Sequence, residues 1–393
     1  MSDASNLSSY QVPYWRLSSF YFFYFAVLGA WLPFLPLYLQ SLDFDAKAIG
    51  YISGVMMATK VFAPSLWAWL ADRLGQRIQI VRLGALASVF IFCTIFVEQT
   101  FWWLVVVIAG FSFFWNAILA PFEVITLQHL GKRYQRYSQI RVWGSIGFIL
   151  LVVALGLLFD YVAITWLPWI VLLLLLGIVV SSFFVSESHA ADNSVSRKES
   201  FFKVVKKPEV IAFIFICFLM QVSHGPYYTF FSVYLESHGY SRGITGLLWS
   251  LGVIAEVIVF IVMHKLLGHF SLKKIMLGSL LLGAVRWLLI AFFVDSMPIL
   301  LVAQVLHAAT FGSFHAFAVE VIRRIFNGGL EGHGMALYSG LSFGAGGAVG
   351  AVLSGYLWAV MPASTFIMAA ACCFVAAIIG WFLRSNIYYK ILP

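Results

Sequence analysis

Tyr38-Leu39-Gln40-Ser41 returns as Tyr234-Leu235-Glu236-Ser237, a register of 196 residues (234 − 38) in a chain of 393. One half of the chain is therefore a rewriting of the other. The register holds at neighbouring positions, Gly29 answering to Gly225, Phe34 to Phe230, Phe44 to Tyr240 and Gly50 to Gly246. Parallel duplication of a very apolar chain builds two like bundles of membrane helices that face each other. The same offset sets Lys60 against Glu256, opposite charges at equivalent points of two otherwise apolar segments. Function is expected there.

Composition confines the class. Hydrophobic residues make up 62% of the chain, charged residues only 10%, and aromatic residues 18%. Apolar runs of at least ~18 residues, long enough to cross a bilayer, recur from Trp15 almost to the C-terminus. They are interrupted at charged or turn-forming stretches such as Asp43–Lys47, Asp72–Arg77, Gly131–Tyr137, Glu236–Arg242 and Arg324–His333, which gives about twelve crossings at that length scale. The expected fold is an all-α polytopic membrane protein, and an even number of crossings puts both termini on one side.

Lys and Arg in short loops mark the cytoplasmic side. Arg73, Arg77, Arg82, Lys132, Arg133, Arg136, Lys265, Lys273, Lys274, Arg323 and Arg324 fall in alternate loops, and Arg197, Lys198, Lys203, Lys206 and Lys207 in the long central one. The intervening loops carry mainly Asp43, Asp45, Glu98, Asp160, Glu236 and Asp295. Both termini are expected in the cytoplasm. The net charge of +8 follows from this topology and does not call for a nucleic-acid partner.

The organisation expected is a cytoplasmic tail over residues 1–14, a six-helix bundle over 15–185, a cytoplasmic linker over 186–207 rich in Ser and mixed charge, a second bundle over 208–385 and a short tail over 386–393. The first residues contain no basic n-region, so the first span is expected to direct insertion without a cleaved signal. Asn6-Leu7-Ser8 matches a glycosylation acceptor by chance on that side. Cys93, Cys217, Cys372 and Cys373 lie in apolar runs with no metal-ligand spacing. No phosphate-cradling G-x-x-x-x-G-K-[ST] and no H-E-x-x-H occurs, and no extramembrane segment is long enough for an enzyme domain. The chain is expected to be no enzyme and to need no cofactor, a gradient supplying the energy.

The loop after the second span, Leu70-Ala71-Asp72-Arg73-Leu74-Gly75-Gln76-Arg77, resembles the signature of the major facilitator superfamily, departing from it at Ala68 and Gln76. Gly75 permits a tight turn, Asp72 is placed to meet the positive end of a neighbouring helix, and Arg73 and Arg77 hold the loop at anionic lipid. Phe20-Tyr21-Phe22-Phe23-Tyr24-Phe25 followed by Gly29-Ala30-Trp31-Leu32-Pro33-Phe34 is similar to the first span of the lactose permease, and Glu123 with Arg141 resembles that permease's sugar-binding pair. Leu248-Trp249-Ser250-Leu251-Gly252, Ala255-Glu256-Val257, Val285-Arg286-Trp287 and Gln304-Val305-Leu306-His307 resemble the phenylpropionate permease branch, as does Arg141-Val142-Trp143-Gly144-Ser145. The resemblance implies twelve helices in two pseudo-symmetric bundles, a monomer, and proton symport of a small solute across a bacterial inner membrane.

A charge at the bilayer centre costs roughly 2.5–3.5 kcal/mol on insertion scales, so each one asks for a reason. Lys60 precedes Asp72 by twelve residues, ~18 Å of helix, which puts it near the midplane. It is read as a cavity cation for an anionic substrate, or as an ion-pair partner of Glu123. Glu256, at the equivalent depth, is the first choice for the proton site, with Arg286 as its natural partner either as a switch or as a fixed salt bridge. His307 and His315 share a helix face two turns apart. They are read as proton-handling residues or as structural ones. Glu320 is a candidate gate residue, or pairs with Arg323 or Arg324 one turn away.

Gln221, His224 and Tyr227 lie at three-to-four spacing beside Gly225-Pro226, where the seventh span is expected to break and expose polar groups to the cavity. Asn116 offers an amide to substrate or to a neighbouring helix. These residues, with Lys60, Glu123 and Arg141, make up the expected substrate site. The functional expectation is a proton-coupled importer of a small organic anion, such as an aromatic carboxylate, working by alternating access. A neutral sugar or nucleoside symporter and a non-transporting sensor on the same scaffold are the alternatives.

Overall fold

The structure, a computed structural model, describes residues 12–187 and 201–383. Among these, eleven helices are long and apolar enough to cross a membrane, and a further crossing is made in two pieces. In chain order they are Tyr14–Ser41 (α1), Ala46–Ala58 with Ala63–Leu74 (α2), Arg77–Phe96 (α3), Phe101–Leu130 (α4), Arg133–Phe159 (α5) and Ile164–Phe183 (α6). The second half supplies Pro208–Ser237 (α7), Arg242–His269 (α8), Leu272–Phe292 (α9), Met297–Ile325 (α10), Glu331–Val360 (α11) and Pro362–Phe382 (α12). The terminal segments 1–11 and 384–393, and most of the expected linker with Arg197 and Lys198, lie outside the described residues.

The register read from the sequence is built into the helix ends. α1 and α7 stop at Ser41 and Ser237, α2 and α8 start at Ala46 and Arg242, and α4 and α10 start at Phe101 and Met297, each pair 196 residues apart. Within each half, α1 packs on α5 and α6 as α7 packs on α11 and α12. The bundles meet where α2 lies along α11, α5 along α8, and α1 beside α7. The first two contacts exchange under the register, so the seam has an approximate two-fold symmetry.

Apolar lipid gives helices little hydrophobic reason to associate, and close packing at small residues takes that part. A Cβ at Gly50 would come within 2.9 Å of the Ala351 carbonyl, and one at Gly54 within 2.8 Å of Val352 Cγ2. Gly156 packs on the Arg242 carbonyl and Gly246 on the Val152 carbonyl. These contacts all lie in the half of the molecule away from the termini, here called the far half. Hydrogen bonds cross the seam there too. The Gly243 amide at the start of α8 donates to both carboxylate oxygens of Asp160 at the end of α5, at 3.2 and 3.1 Å. Arg242, held by Glu236 at 2.7 Å, also donates to the Phe159 carbonyl at 3.2 Å. Tyr51 and Tyr356 join hydroxyls across α2 and α11, with Lys47 over the Tyr356 ring. Between the terminal-side pieces Ala63–Leu74 and Glu331–Tyr338 no packing of that kind forms among the described residues, and Phe62, Leu66 and Trp69 of α2 are exposed. The far end is sealed.

Four helices lose regularity at mid-depth. α2 tightens to a 3₁₀ turn at Thr59–Val61 and breaks at Phe62 (φ −128). Pro64 explains the break, because its ring collides with the carbonyl four residues back, that of Lys60. α4 opens into a turn at 116–118, and α10 widens to a π-helical stretch at Ala308–Ser313, nearly the equivalent place. α11 is π-helical over Ser339–Gly346, opposite the α2 break. Such widenings occur frequently at functional sites. The expected break at Gly225-Pro226 does not form: α7 runs through Pro226 without interruption. Gly350 of α11 instead packs on the carbonyl of Val222, the group that Pro226 leaves without an amide donor.

Candidate functional site

The irregular segments surround one level of the molecule, and the polar residues of the membrane interior gather there. On the first bundle Lys60 sits in the 3₁₀ turn of α2, partly exposed, with no ion-pair or hydrogen-bond partner among the described residues. The break at Phe62 is what places it. Asn116, at the opening of α4, donates to Thr59 Oγ1 at 3.0 Å, and Thr59 in turn donates to the Met56 carbonyl at 2.8 Å. The amide of Asn116 thus ties α4 to the α2 turn and is buried.

Glu123 of α4 accepts from the Tyr137 hydroxyl at 3.1 Å. Arg141 of α5 forms no ion pair with it. The guanidinium lies over Phe25 of α1, 3.9 Å from the ring centre, with Tyr21 at 5.7 Å. Around them Phe20 stacks on Phe122 at 3.5 Å and Tyr24 on Trp115 at 5.1 Å. This wall is aromatic with one acid and one base.

On the second bundle Glu256 is partly exposed, its side chain 18% accessible, and His307 Nε2 of α10 lies 3.6 Å from its carboxylate. The expected Glu256–Arg286 pair is not formed. Arg286 is fully buried: Nε donates to the Ala303 carbonyl at 2.9 Å and Nη1 to Thr310 Oγ1 at 3.2 Å, while the guanidinium is sandwiched by Tyr227 and Trp287 at 4.4 and 4.3 Å. The Ala303 carbonyl, from the regular part of α10, and Thr310, from its π-helical stretch, hold the arginine. Tyr227 donates to Gln304 Oε1 at 2.9 Å. His307, Phe311 and His315 stack in sequence, 5.4 and 6.2 Å between ring centres, and His315 Nδ1 meets the Tyr338 hydroxyl at 3.1 Å.

The architecture and this charged, aromatic mid-level are those of a transporter, and comparison with known proteins bears on the same point. The family model described as the MFS_1 like family matches residues 14–368. The chain belongs to that family, within the major facilitator superfamily. A probable 3-phenylpropionic acid transporter of Escherichia coli (strain K12) is 27% identical over 371 residues, 93% of this chain and 96% of that one. A maltose permease of Geobacillus stearothermophilus is 25% identical, with 86% of each chain covered. In fold the chain is similar to a crystal structure of a variant of the nucleoside transporter NupG, with a TM-score of 0.85 at 17% identity over 94% of this chain and 99% of that one. The MFS-type protein is therefore a secondary transporter embedded in a membrane as a multi-pass protein, and its relatives are transporters rather than enzymes.

The remaining sequence candidates divide. Gln221 is buried on α7, packed against Gly346. His224, also buried, turns Nδ1 to the Met220 carbonyl at 2.8 Å. Neither this histidine nor Tyr227 opens to solvent. Glu320 is held within its own helix by Arg323 at 2.8 Å and Arg324 at 2.7 Å. Asp72 pairs with Arg77 of its own loop at 2.7 Å, and the start of α3 is capped instead by Glu187, which accepts from the Ile78 amide at 2.7 Å. Gly75 has φ 64, the left-handed turn that the loop needs, and Arg73 lies over Trp69. Sequence reasoning missed Tyr137 and Tyr338. Both fall among many aromatic residues, and only their positions beside an irregular segment or one helical turn from Arg141 mark them out.

Proposed function

We propose that the protein is a proton-coupled symporter that imports a small organic anion, such as an aromatic carboxylate, by alternating access. One observation supports this most. At mid-helix in the first bundle Lys60 has no partner among the described residues, and the equivalent place in the second bundle carries an acid, Glu256, against an imidazole, His307. An unpaired cation at this depth is costly unless a substrate carboxylate completes it, and a partly exposed carboxyl beside histidine is equipped to take up and give back a proton. The partly exposed rings of Phe311 and Phe343 offer apolar faces to an aromatic substrate. The relative named as a phenylpropionic acid transporter has a ligand of this class.

With the far face sealed, the reading places this conformation open toward the cytoplasm, both termini there, in a bacterial inner membrane. A proton on Glu256 accompanies substrate inward, and its loss releases both. Protons, substrate and lipid are then the only partners, in a monomer that binds no nucleic acid and needs no cofactor. Glu123, Tyr137 and Arg141 favour a second reading, a neutral sugar or nucleoside, since an acid, a hydroxyl and a guanidinium suit a polyhydroxyl ligand.

Binding by the Lys60→Met and Lys60→Arg variants separates the two. A charge-assisted contact to a carboxylate contributes on the order of 1.5–3 kcal/mol, about ten- to a hundredfold in affinity. Calorimetry with the best ligand from a screen of carboxylates, sugars and nucleosides should show that loss in Lys60→Met and partial retention in Lys60→Arg. Undiminished binding by Lys60→Met would make Lys60 structural and the neutral-solute reading the better one.

A further inference from the structure

Beneath the Glu256–His307 contact, α7, α9 and α10 enclose polar atoms that find no protein partner: His224 Nε2, Arg286 Nη2, Gln304 Nε2 and His307 Nδ1. His224, Arg286 and Gln304 have no accessible surface and His307 has 5%. The groups adjoin one another. The rings of His224 and His307 are 6.1 Å apart between centres, His307 lies 5.6 Å from Tyr227, and the Arg286 guanidinium lies against Tyr227, which bonds Gln304. A buried polar atom without a partner costs the full desolvation of that atom, so four together call for a shared guest.

The contacts already made decide what each atom can do. His224 Nδ1 faces the Met220 carbonyl and so carries the ring hydrogen, leaving Nε2 of the neutral ring an acceptor. His307 Nε2 lies 3.6 Å from the Glu256 carboxylate, beyond hydrogen-bond reach, yet the ring nitrogen beside a carboxylate is the one that favours the hydrogen, which leaves Nδ1 an acceptor. Arg286 Nη2 and Gln304 Nε2 are donors only. These four atoms make two acceptors and two donors; Trp287 Nε1, also without a hydrogen-bond partner, turns to the Cys373 thiol instead. An anion cannot donate to the histidines, and a metal cation is repelled by Arg286. Water, with two hydrogens and two lone pairs, matches the set.

We infer that a resident water joins His224, His307, Arg286 and Gln304, and that through it the protonation of Glu256 is transmitted to α7. The second clause rests on the proton-coupled reading above. When Glu256 is a carboxylate, His307 holds its hydrogen toward it and the water donates to His307 Nδ1. When a proton enters by way of the water, Nδ1 takes a hydrogen from the water, which the incoming proton restores, and Nε2 passes its own to the carboxylate; the neutral carboxyl then donates to Nε2 and the one ring hydrogen sits on Nδ1. The water then turns from donor to acceptor toward His307. One proton has entered, at Glu256; the ring keeps the number it had. His224, the α7 member of the link, stands next to Gly225 at the close contact with Gly350 of α11, so the reorientation reaches a helix that packs at the seam between the bundles. The other groups facing His224 are Tyr228 on its own helix, Trp287 and Arg286 on α9, and His307 and Phe311 on α10. Cys373 of α12 closes the same region through Ser223 at 3.3 Å. His224 is thus a positioning residue and not a substrate contact.

A structure of the purified protein at a resolution that shows waters tests the site directly. Density within hydrogen-bond distance of Arg286 Nη2 and both histidine nitrogens is expected. Its absence would overturn the inference, and an anomalous peak there after bromide exchange would replace water by an anion. For the link, His224→Gln keeps an acceptor within reach and His224→Phe removes it. In proteoliposomes His224→Phe should lose at least tenfold in proton-driven accumulation while retaining solute exchange, and His224→Gln should keep most of both. Full accumulation by His224→Phe would sink the link. If the parent protein exchanges solute but never accumulates it under a proton gradient, the symport reading fails, while the density still decides the site.

Discussion

Asp160→Ala should open the far face. Asp160 belongs to the first bundle, yet its carboxylate receives the Gly243 amide at the first turn of α8 in the second. A bond to a charged acceptor contributes about 1.5–3 kcal/mol when well formed. This one is shared between two oxygens at 3.2 and 3.1 Å and lies at an exposed loop. Solvent screening, together with the few tenths of a kcal/mol from an anion at a helix N-terminus, brings the expected loss to about 1 kcal/mol. Because the bond exists only while the far ends touch, the loss falls on one conformation. The ratio of far-open to far-closed molecules should rise about fivefold. Ser53 on α2 in the far half is 3% exposed, and a cysteine there, in a background without Cys93, Cys217, Cys372 and Cys373, reports opening through its rate of reaction with a hydrophilic maleimide. Asp45→Ala is the control. Asp45 makes the same kind of bond, to the Ala48 amide at 2.7 Å, but inside its own bundle. The Asp160 variant should react about five times faster than the parent and the Asp45 variant at the parent rate. Equal acceleration in both, or in neither, would refute the assignment of Asp160 as a bundle-crossing lock.

Two further outcomes follow from the same geometry. Glu256→Gln should lose proton-driven accumulation and keep exchange, because the amide imitates only the protonated carboxyl; uptake driven at the parent rate by a pH gradient would remove Glu256 from coupling. Gly246→Leu would press a side chain into the Val152 carbonyl across the seam, at a cost of about 1–3 kcal/mol, and should shift the population toward the far-open form, seen as faster labelling of the Ser53 probe; an unchanged rate would show that α5 and α8 do not need this contact to close.

The duplication was legible because helix ends and bundle seams are set by patterns that survive divergence: loop breaks, small residues and a shared register. The places of Lys60 and Glu256 midway along their crossings followed from counting. What escaped were side-chain pairings, and each for a physical reason. Arg286 was matched to Glu256 by charge, but a guanidinium has five donors and α10, widened by a π-turn, offers a carbonyl and a hydroxyl closer at hand. Of the two roles open to Asn116, the structure shows the bond to a neighbouring helix, with Thr59 of the α2 turn as its acceptor. The break expected at Pro226 did not form, because a proline in a membrane helix is tolerated where a neighbour packs on the freed carbonyl, and Gly350 does so. None of these partners is local in sequence.

The two-fold relation fails where Lys60 and Glu256 stand, and that failure carries meaning. Residues 60 and 256 are equivalent, but α2 is unwound at the first while α8 is continuous at the second. An unwound turn costs backbone hydrogen bonds in a medium that supplies none, so it persists only where it lines polar space. On the proposed reading it gives Lys60 the freedom to follow a substrate. A continuous helix does the reverse, holding Glu256 at a fixed distance from His307, so that on the proposed reading an arriving proton meets the same partner on each cycle. The chain has thus used duplication for the frame, and has spent its departures from symmetry on making one half adaptable and the other exact.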